Sequence, residues 1–201
     1  MKSFEEICYG VVKQPKFIKN VAIGLILGLI PIINFFAFGY LMEMGKQSMK
    51  NKELALPDWP HVKGNSKEIL VKNFSIGAIA FLKFILIPCL ICFAIFGLVG
   101  LKTFGICVGL FISAPAFAYA AVSNNLETSW NIFGMLTEFT KVYKWVIAHY
   151  KKLIIPSALF LCLQMVVSFA IPYTLMGAPI FLGFVFIISY VKQLANNSFK
   201  S

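Results

Sequence analysis

The stretch KFILIPCLICFAIFGLVGLK, Lys83–Lys102, decides the fold class. Between its two lysines run 18 residues without a charge, which as an α-helix extend about 27 Å at about 1.5 Å per residue. A bilayer's hydrocarbon core is about 30 Å thick, so Phe84–Leu101 (84–101) reads as a transmembrane helix. Lys102 and Thr103 leave room only for a tight turn. The uncharged run Thr103–Val122 (103–122) must then return, with Pro115 as a break that neighbouring helices can accommodate. The two runs are expected to form a helical hairpin.

A second unit of the same size follows. After Lys152, Leu153–Ile171 (153–171) crosses, Pro172-Tyr173-Thr174 turns, and Leu175–Val191 (175–191) returns before Lys192. Lys83–Val122 and Lys152–Val191 are each 40 residues long, and both open with a lysine and an early proline, Pro88 or Pro156. Tyr119 and Tyr190 lie near their ends. The correspondence hints at an internal duplication, although residue identity between the halves is poor.

The bulk composition agrees with this architecture. The 201 residues are 59% hydrophobic and 13% charged, where a soluble domain carries about 25% charged residues. The excess lies in the apolar runs, so a single membrane domain over 1–201 is expected, all-α and polytopic. Every one of the 18 basic residues is a lysine. Lysine is a hydrated point charge suited to anionic headgroups, whereas base reading and bidentate phosphate recognition rely on arginine. A lysine-biased genome would produce the same pattern. The net charge of +10 therefore reads as topology information and argues against a nucleic-acid partner.

Residues 20–42 are harder to read. The apolar run Val21–Met42 could cross once or dip in and return, since Gly24, Gly28, Pro31, Asn34 and Gly39 interrupt it and lysines flank both ends. If it re-enters, all lysines but Lys102 fall on one side, which the positive-inside bias favours. Pro31–Asn34 is then the apex and Asn34 satisfies broken backbone there. In either arrangement the carboxyl terminus is cytoplasmic. Ala37-Phe38-Gly39 could pass for a signal-peptide cleavage site, but the leader is long and the apolar run continues past it, so the segment is expected to stay in the membrane.

Amphipathic segments precede each hairpin. In Leu126–Tyr150 (126–150) an apolar stripe of Trp130, Phe133, Leu136, Phe139, Tyr143 and Val146 opposes Glu127, Asn131, Glu138, Lys141 and Lys144. Such a helix suits the membrane surface, although the same stripe could pack against a bundle. Ile69–Leu82 is expected to act likewise, with Glu68, Lys72, Ser75 and Lys83 along one side. Lys83 is expected to snorkel to the interface.

Gly39-Tyr40-Leu41, then a basic stretch, then Leu56-Pro57-Asp58-Trp59 and the Pro88 span together resemble a known family. It is the set of bacterial and archaeal membrane proteins catalogued as domain of unknown function 4013. The resemblance covers most of the chain and implies a multi-pass helical protein without an assigned activity, so it carries no functional residues. The chain departs from the pattern after the tryptophan, where Pro60, His61 and Lys63 replace a more acidic stretch. Independently of the family, Pro57 breaks a preceding helix, Asp58 can cap a following one, and Trp59 suits the headgroup zone.

Catalytic chemistry is sparse. The only aspartate is Asp58, the only histidines are His61 and His149, and the seven glutamates are scattered. No metalloprotease, phosphate-loop, dinucleotide or nucleophile-elbow motif occurs. Cys89 and Cys92 have CxxC spacing without a second pair, so no metal or cofactor is expected. Gln164, alone among apolar residues, is expected to hydrogen-bond another helix. The chain is not expected to be an enzyme; an intramembrane enzyme would have to use Asp58, His61 or His149. A non-catalytic scaffold, a self-protection factor or an accessory subunit of a membrane export system is expected, with the bilayer, anionic headgroups and another membrane protein or a second copy as partners. The rival is an oligomeric small-solute or lipid channel or transporter, using Gly97, Gly100, Gly105 and Gly109.

Overall fold

A computed structural model describes residues 3–28, 32–50, 56, 59, 66–123, 132–170 and 177–198. Among these residues all regular secondary structure is helical and there is no strand. The helices are α1 (Phe4–Val12), α2 (Phe17–Gly28), α3 (Asn34–Lys50), α4 (Ser66–Phe81), α5 (Ile87–Gly97), α6 (Lys102–Ser123), α7 (Ile132–Ala148), α8 (Tyr150–Ala170) and α9 (Gly177–Ser198). Two helical stretches are long and apolar enough to cross a membrane, Val71–Gly97 and Lys102–Ser123.

The first of these corrects the sequence expectation. Phe84–Leu101 is not the helical unit: α4, a π-helical turn at Leu82–Leu86 and α5 run on as one rod, of which Val71–Gly97 is an apolar stretch of 27 residues. Ile69–Leu82 is therefore the first half of that rod and not a separate surface helix. The π turn has a cause in the sequence. Pro88 has no N–H for the Phe84 carbonyl and its ring crowds that oxygen; a wider turn just before it, closed by the Ile87 N–H on the Leu82 carbonyl, removes the conflict without breaking the helix. The rod ends where Gly100, at φ +78°, allows the Leu101 N–H to reach back to the Phe96 carbonyl at 2.9 Å, a Schellman-type cap that only glycine adopts without strain. α6 begins at the next residue, and its bounds differ from Thr103–Val122 by one residue at each end.

α5 and α6 lie antiparallel and close. A Cβ on Gly105 would stand 2.6 Å from the Cys92 carbonyl oxygen and one on Gly109 2.7 Å from the Cys89 Cα. These glycines are thus consumed inside the hairpin. α3 and α4 make a second glycine-mediated pair, Gly39 against the Asn73 backbone and Gly77 against Phe35.

The centre of the molecule is built by α3, α9 and the second half of α6. Ala114, Ala116, Ala118, Ala120 and Ala121 keep α6 thin enough for neighbours on every side, and Gly45 of α3 packs on the Ala121 backbone. The space between is filled by phenylalanine. Phe38, Phe117 and Phe184 meet pairwise at 5.5, 5.9 and 4.5 Å between centroids, and Phe160 of α8 adds to Phe184 at 5.1 Å. Each such pair contributes about 0.5–1.5 kcal/mol beyond area burial.

The segment 20–42 is not one rod. α2 ends at Gly28 and α3 starts at Asn34, with the Phe36 N–H closing on the Ile33 carbonyl at 2.9 Å. α1, unexpected from the apolar pattern, is nucleated by a capping box in which Ser3 and Glu6 exchange hydrogen bonds of 2.9 and 3.2 Å. It covers the end of α9 through Ile7, Val11 and a Phe4–Tyr190 edge contact. α7 and α8 meet at His149 with a bend of 97°, and only the two joined are long and apolar enough to cross a membrane. Residues 124–131, the turn Pro172-Tyr173-Thr174, and Asp58 and His61 lie outside the described residues.

Candidate functional site

The most unusual chemistry in the molecule is a buried ion pair. Lys83, in the π turn, places its Nζ 3.0 Å from Oε2 of Glu138 on α7, with the two side chains 1% and 4% exposed. Neither position was expected inside. Lys83 does not snorkel: at its level the rod has entered the bundle, and Phe84 and Ile85 beside it are buried as well. Glu138 does not join the outer face of α7; it turns inward beside Val142 and Val146. The physical reason for both corrections is the same. An isolated buried ammonium or carboxylate carries a desolvation penalty of several kcal/mol, and only a partner of opposite charge at hydrogen-bond distance offsets it. The sequence offered one signal that the boundary reading overlooked, since Lys83 is a single cation with long apolar runs on both sides.

Aromatic and weakly polar groups surround the pair. Phe84 packs on Phe139 at 5.6 Å, and Phe139 stacks on Tyr143 at 5.9 Å. The Tyr143 hydroxyl is buried without a hydrogen-bond partner and lies within electrostatic reach of the Cys89 and Cys92 thiols. Ser113 of α6, 1% exposed, faces the Cys89 thiol, a soft neighbour, and its hydroxyl has no conventional hydrogen bond. The stripe of α7 is thus split. Phe139, Tyr143 and Val146 face the bundle, whereas Phe133 and Leu136 are 80% and 58% exposed.

Two stacked tyrosine–tryptophan pairs lie elsewhere in the bundle. Tyr119 of α6 lies on Trp145 at 4.1 Å and 11°, and Trp145 in turn lies on His149 at 4.4 Å. His149 therefore belongs to the α7–α8 corner, where its Nδ1 is 3.0 Å from the Trp145 carbonyl. Tyr40 lies on Trp59, also at 4.1 Å and 11°, and the Trp59 indole donates to the Asn20 carbonyl at 3.0 Å. With the Leu56 N–H on the Gln14 side chain at 3.0 Å, these contacts hold Leu56 and Trp59 against the turn after α1 and against α2. Trp59 has a packing role.

The remaining sequence candidates do not converge. Gln164 is buried on α8, Asn34 opens α3, and all five cysteines are free. Among the described residues no group of three or more His, Cys, Asp or Glu side chains is arranged to hold a metal ion. What the site offers is a charge pair that is electrically neutral as a whole and so tolerates an apolar setting. It ties the long rod to α7, and its location in a π turn is one such turns often occupy at functional positions. Comparison with known proteins finds no matching family model, no matching curated protein and no matching solved structure. The two apolar helices are compatible with a membrane protein.

Proposed function

We propose that the chain is an integral membrane protein without chemistry of its own, acting as a scaffold, a self-protection factor or an accessory subunit of a membrane assembly such as an export system. One observation carries this reading: the α5–α6 hairpin presents large apolar side chains outward along its length. Leu90, Ile91, Ile95, Leu98, Val99 and Phe104 are each more than half exposed. A sleeve of this kind in water would be an aggregation surface, and in hydrocarbon it is an ordinary lipid contact. The ion pair is a latch within the fold, already neutralised, and not a proton-transfer chain.

In this reading the carboxyl terminus and the exposed lysines face the cytoplasm and Lys102 faces outward. The break between α2 and α3 supports a segment 20–42 that enters the bilayer without crossing it as one rod. Membership of the domain of unknown function 4013 is part of the same proposal. The channel or transporter reading loses its one motif, because Gly105 and Gly109 already serve the α5–α6 contact and are not free for a second copy.

Two measurements test the proposal. Alkaline carbonate extraction should leave the protein in the membrane pellet; release into the supernatant would end the membrane reading. Mild detergent extraction from native membranes should then bring a second membrane protein down in fixed ratio. Isolation alone, combined with solute flux from proteoliposomes that hold several copies each at low protein density, would replace the accessory reading with the channel.

A further inference from the structure

We infer that the outward face of α7, continued by the first turn of α8, is a docking surface for the headgroups of anionic phospholipids. The inference rests on the membrane reading above and names the lipid that this part of the molecule selects. On α7 the exposed residues are Phe133, Leu136, Thr137, Thr140, Lys141, Lys144, Ile147 and Ala148. At about 100° per residue they divide into two flanks. Phe133, Leu136 and Ile147 fall together on one side, and Lys141 and Lys144 on the other. Lys151 and Lys152, also exposed, extend the basic flank past the corner.

Three features point to a lipid surface. First, the third side of the helix, carrying Glu138, Val142 and Val146, is buried against the bundle. The helix therefore lies along the protein with one flank free for acyl chains and one for headgroups, the disposition of an interfacial helix. Second, α7 turns 97° from α8, so the two helices do not share one direction and the corner between them leaves the outward face of α7 open. Third, the charge is of one sign. Glu138 is the only acid between Ile132 and Ser198, and its carboxylate is withdrawn into the pair with Lys83. The latch thereby leaves Lys141, Lys144, Lys151 and Lys152 exposed, with no carboxylate left outward among the described residues of α7 and α8. Lysines without arginine suit diffuse attraction to phosphate-bearing headgroups over bidentate recognition of a single phosphate.

The test titrates the full-length protein in neutral detergent with phosphatidylglycerol or with phosphatidylcholine, reading bound lipid by native mass spectrometry and the thermal midpoint alongside. Phosphatidylglycerol should half-saturate at a concentration at least about tenfold lower than phosphatidylcholine. K141Q/K144Q should weaken phosphatidylglycerol about 25-fold, about fivefold per lysine, while phosphatidylcholine stays unchanged. K141R/K144R, which keeps the charge, should restore the preference, and 0.5 M salt should reduce it in the unmodified protein without any substitution. Equal affinity for the two lipids, or an unchanged phosphatidylglycerol affinity in K141Q/K144Q, overturns the inference. A protein that resists carbonate extraction yet ignores headgroup charge loses only this inference, whereas one released by carbonate loses the membrane reading itself.

Discussion

The α5–α6 and α8–α9 pairs look like copies of one another in sequence and behave oppositely in the fold. Both units have the same length and both start from a lysine and an early proline. Yet α5 and the first half of α6 touch mainly each other and expose their large side chains, whereas α9 is sunk in the centre, with Phe181, Phe184, Val185, Ile187, Ile188, Val191 and Leu194 all buried. The opening lysines diverge in the same way, Lys83 fully buried and Lys152 exposed. A charge-bounded apolar run thus defines a helix that can meet hydrocarbon, but what surrounds it is decided by where the small residues fall. On α6 the glycines face α5, and the alanines farther along admit α3 and α9.

The largest effect should come from breaking the equivalence of the two lysines. Lys83→Met leaves the Glu138 carboxylate buried and unpaired, and should cost about 3–5 kcal/mol. The double variant with Glu138→Leu should recover most of that loss, since an apolar replacement of both partners is often close to neutral. Lys152→Met, at the matching position of the other unit, should stay within about 0.5 kcal/mol. Thermal or denaturant unfolding in detergent compares the three. A double variant no better than Lys83→Met would mean that the pair's surroundings need its charges.

Phe184→Ala comes next. The ring touches Phe38, Phe117 and Phe160 at once, and its removal should cost about 3–5 kcal/mol by emptying the centre. Phe104→Ala on the exposed hairpin, where the ring meets only Phe96 edge-on at 5.1 Å, should cost about 1 kcal/mol or less. Similar losses for both would erase the contrast between a packed centre and an exposed arm.

These contrasts also mark what could be read from the chain beforehand. The helical class and the run that becomes α6 follow from uncharged length alone, because length against a bilayer's thickness is a one-dimensional property. The continuity of α4 with α5 does not follow, since Lys83 interrupts the apolar run and a charge normally marks a boundary. Only a partner 55 residues away makes it an interior residue. The inward turn of Glu138 does not follow either: periodicity finds one apolar stripe, but α7 is buried along one side and carries large apolar residues on its exposed side as well, and Glu138 sits on the buried one. α1 was legible in principle from Ser3 and Glu6, a capping box hidden in a leader that otherwise reads as polar.

A smaller effect separates two glycines. Gly109→Ala puts a Cβ against the Cys89 backbone, which cannot give way without moving α5, and should cost about 1–3 kcal/mol. Gly183→Ala in the other unit meets the edge of the Phe160 ring at 2.6 Å. A ring can rotate or shift where a backbone cannot, so the cost there should be the lower of the two, about 1 kcal/mol. The reverse order would mean that α5 yields more readily than the phenylalanine centre and that the hairpin is the softer contact.

The smallest effect is the most informative about the hairpin's surroundings. Leu98, at the tip beside Gly100, is 89% exposed, so Leu98→Ser removes almost no contact within the protein. In detergent the unfolding midpoint should move by no more than about 0.5 kcal/mol in equivalent stability. The apolar rod Val71–Gly97 ends just before Leu98, which brings the tip to the membrane boundary, where a hydroxyl finds headgroup water and anchorage is retained. Ile91→Ser, a little under two turns earlier, carries its hydroxyl toward hydrocarbon and should weaken resistance to carbonate extraction more than Leu98→Ser does. A clear drop in the midpoint for Leu98→Ser would show the tip packed against protein, and the free-standing arm would have to be redrawn as part of the bundle.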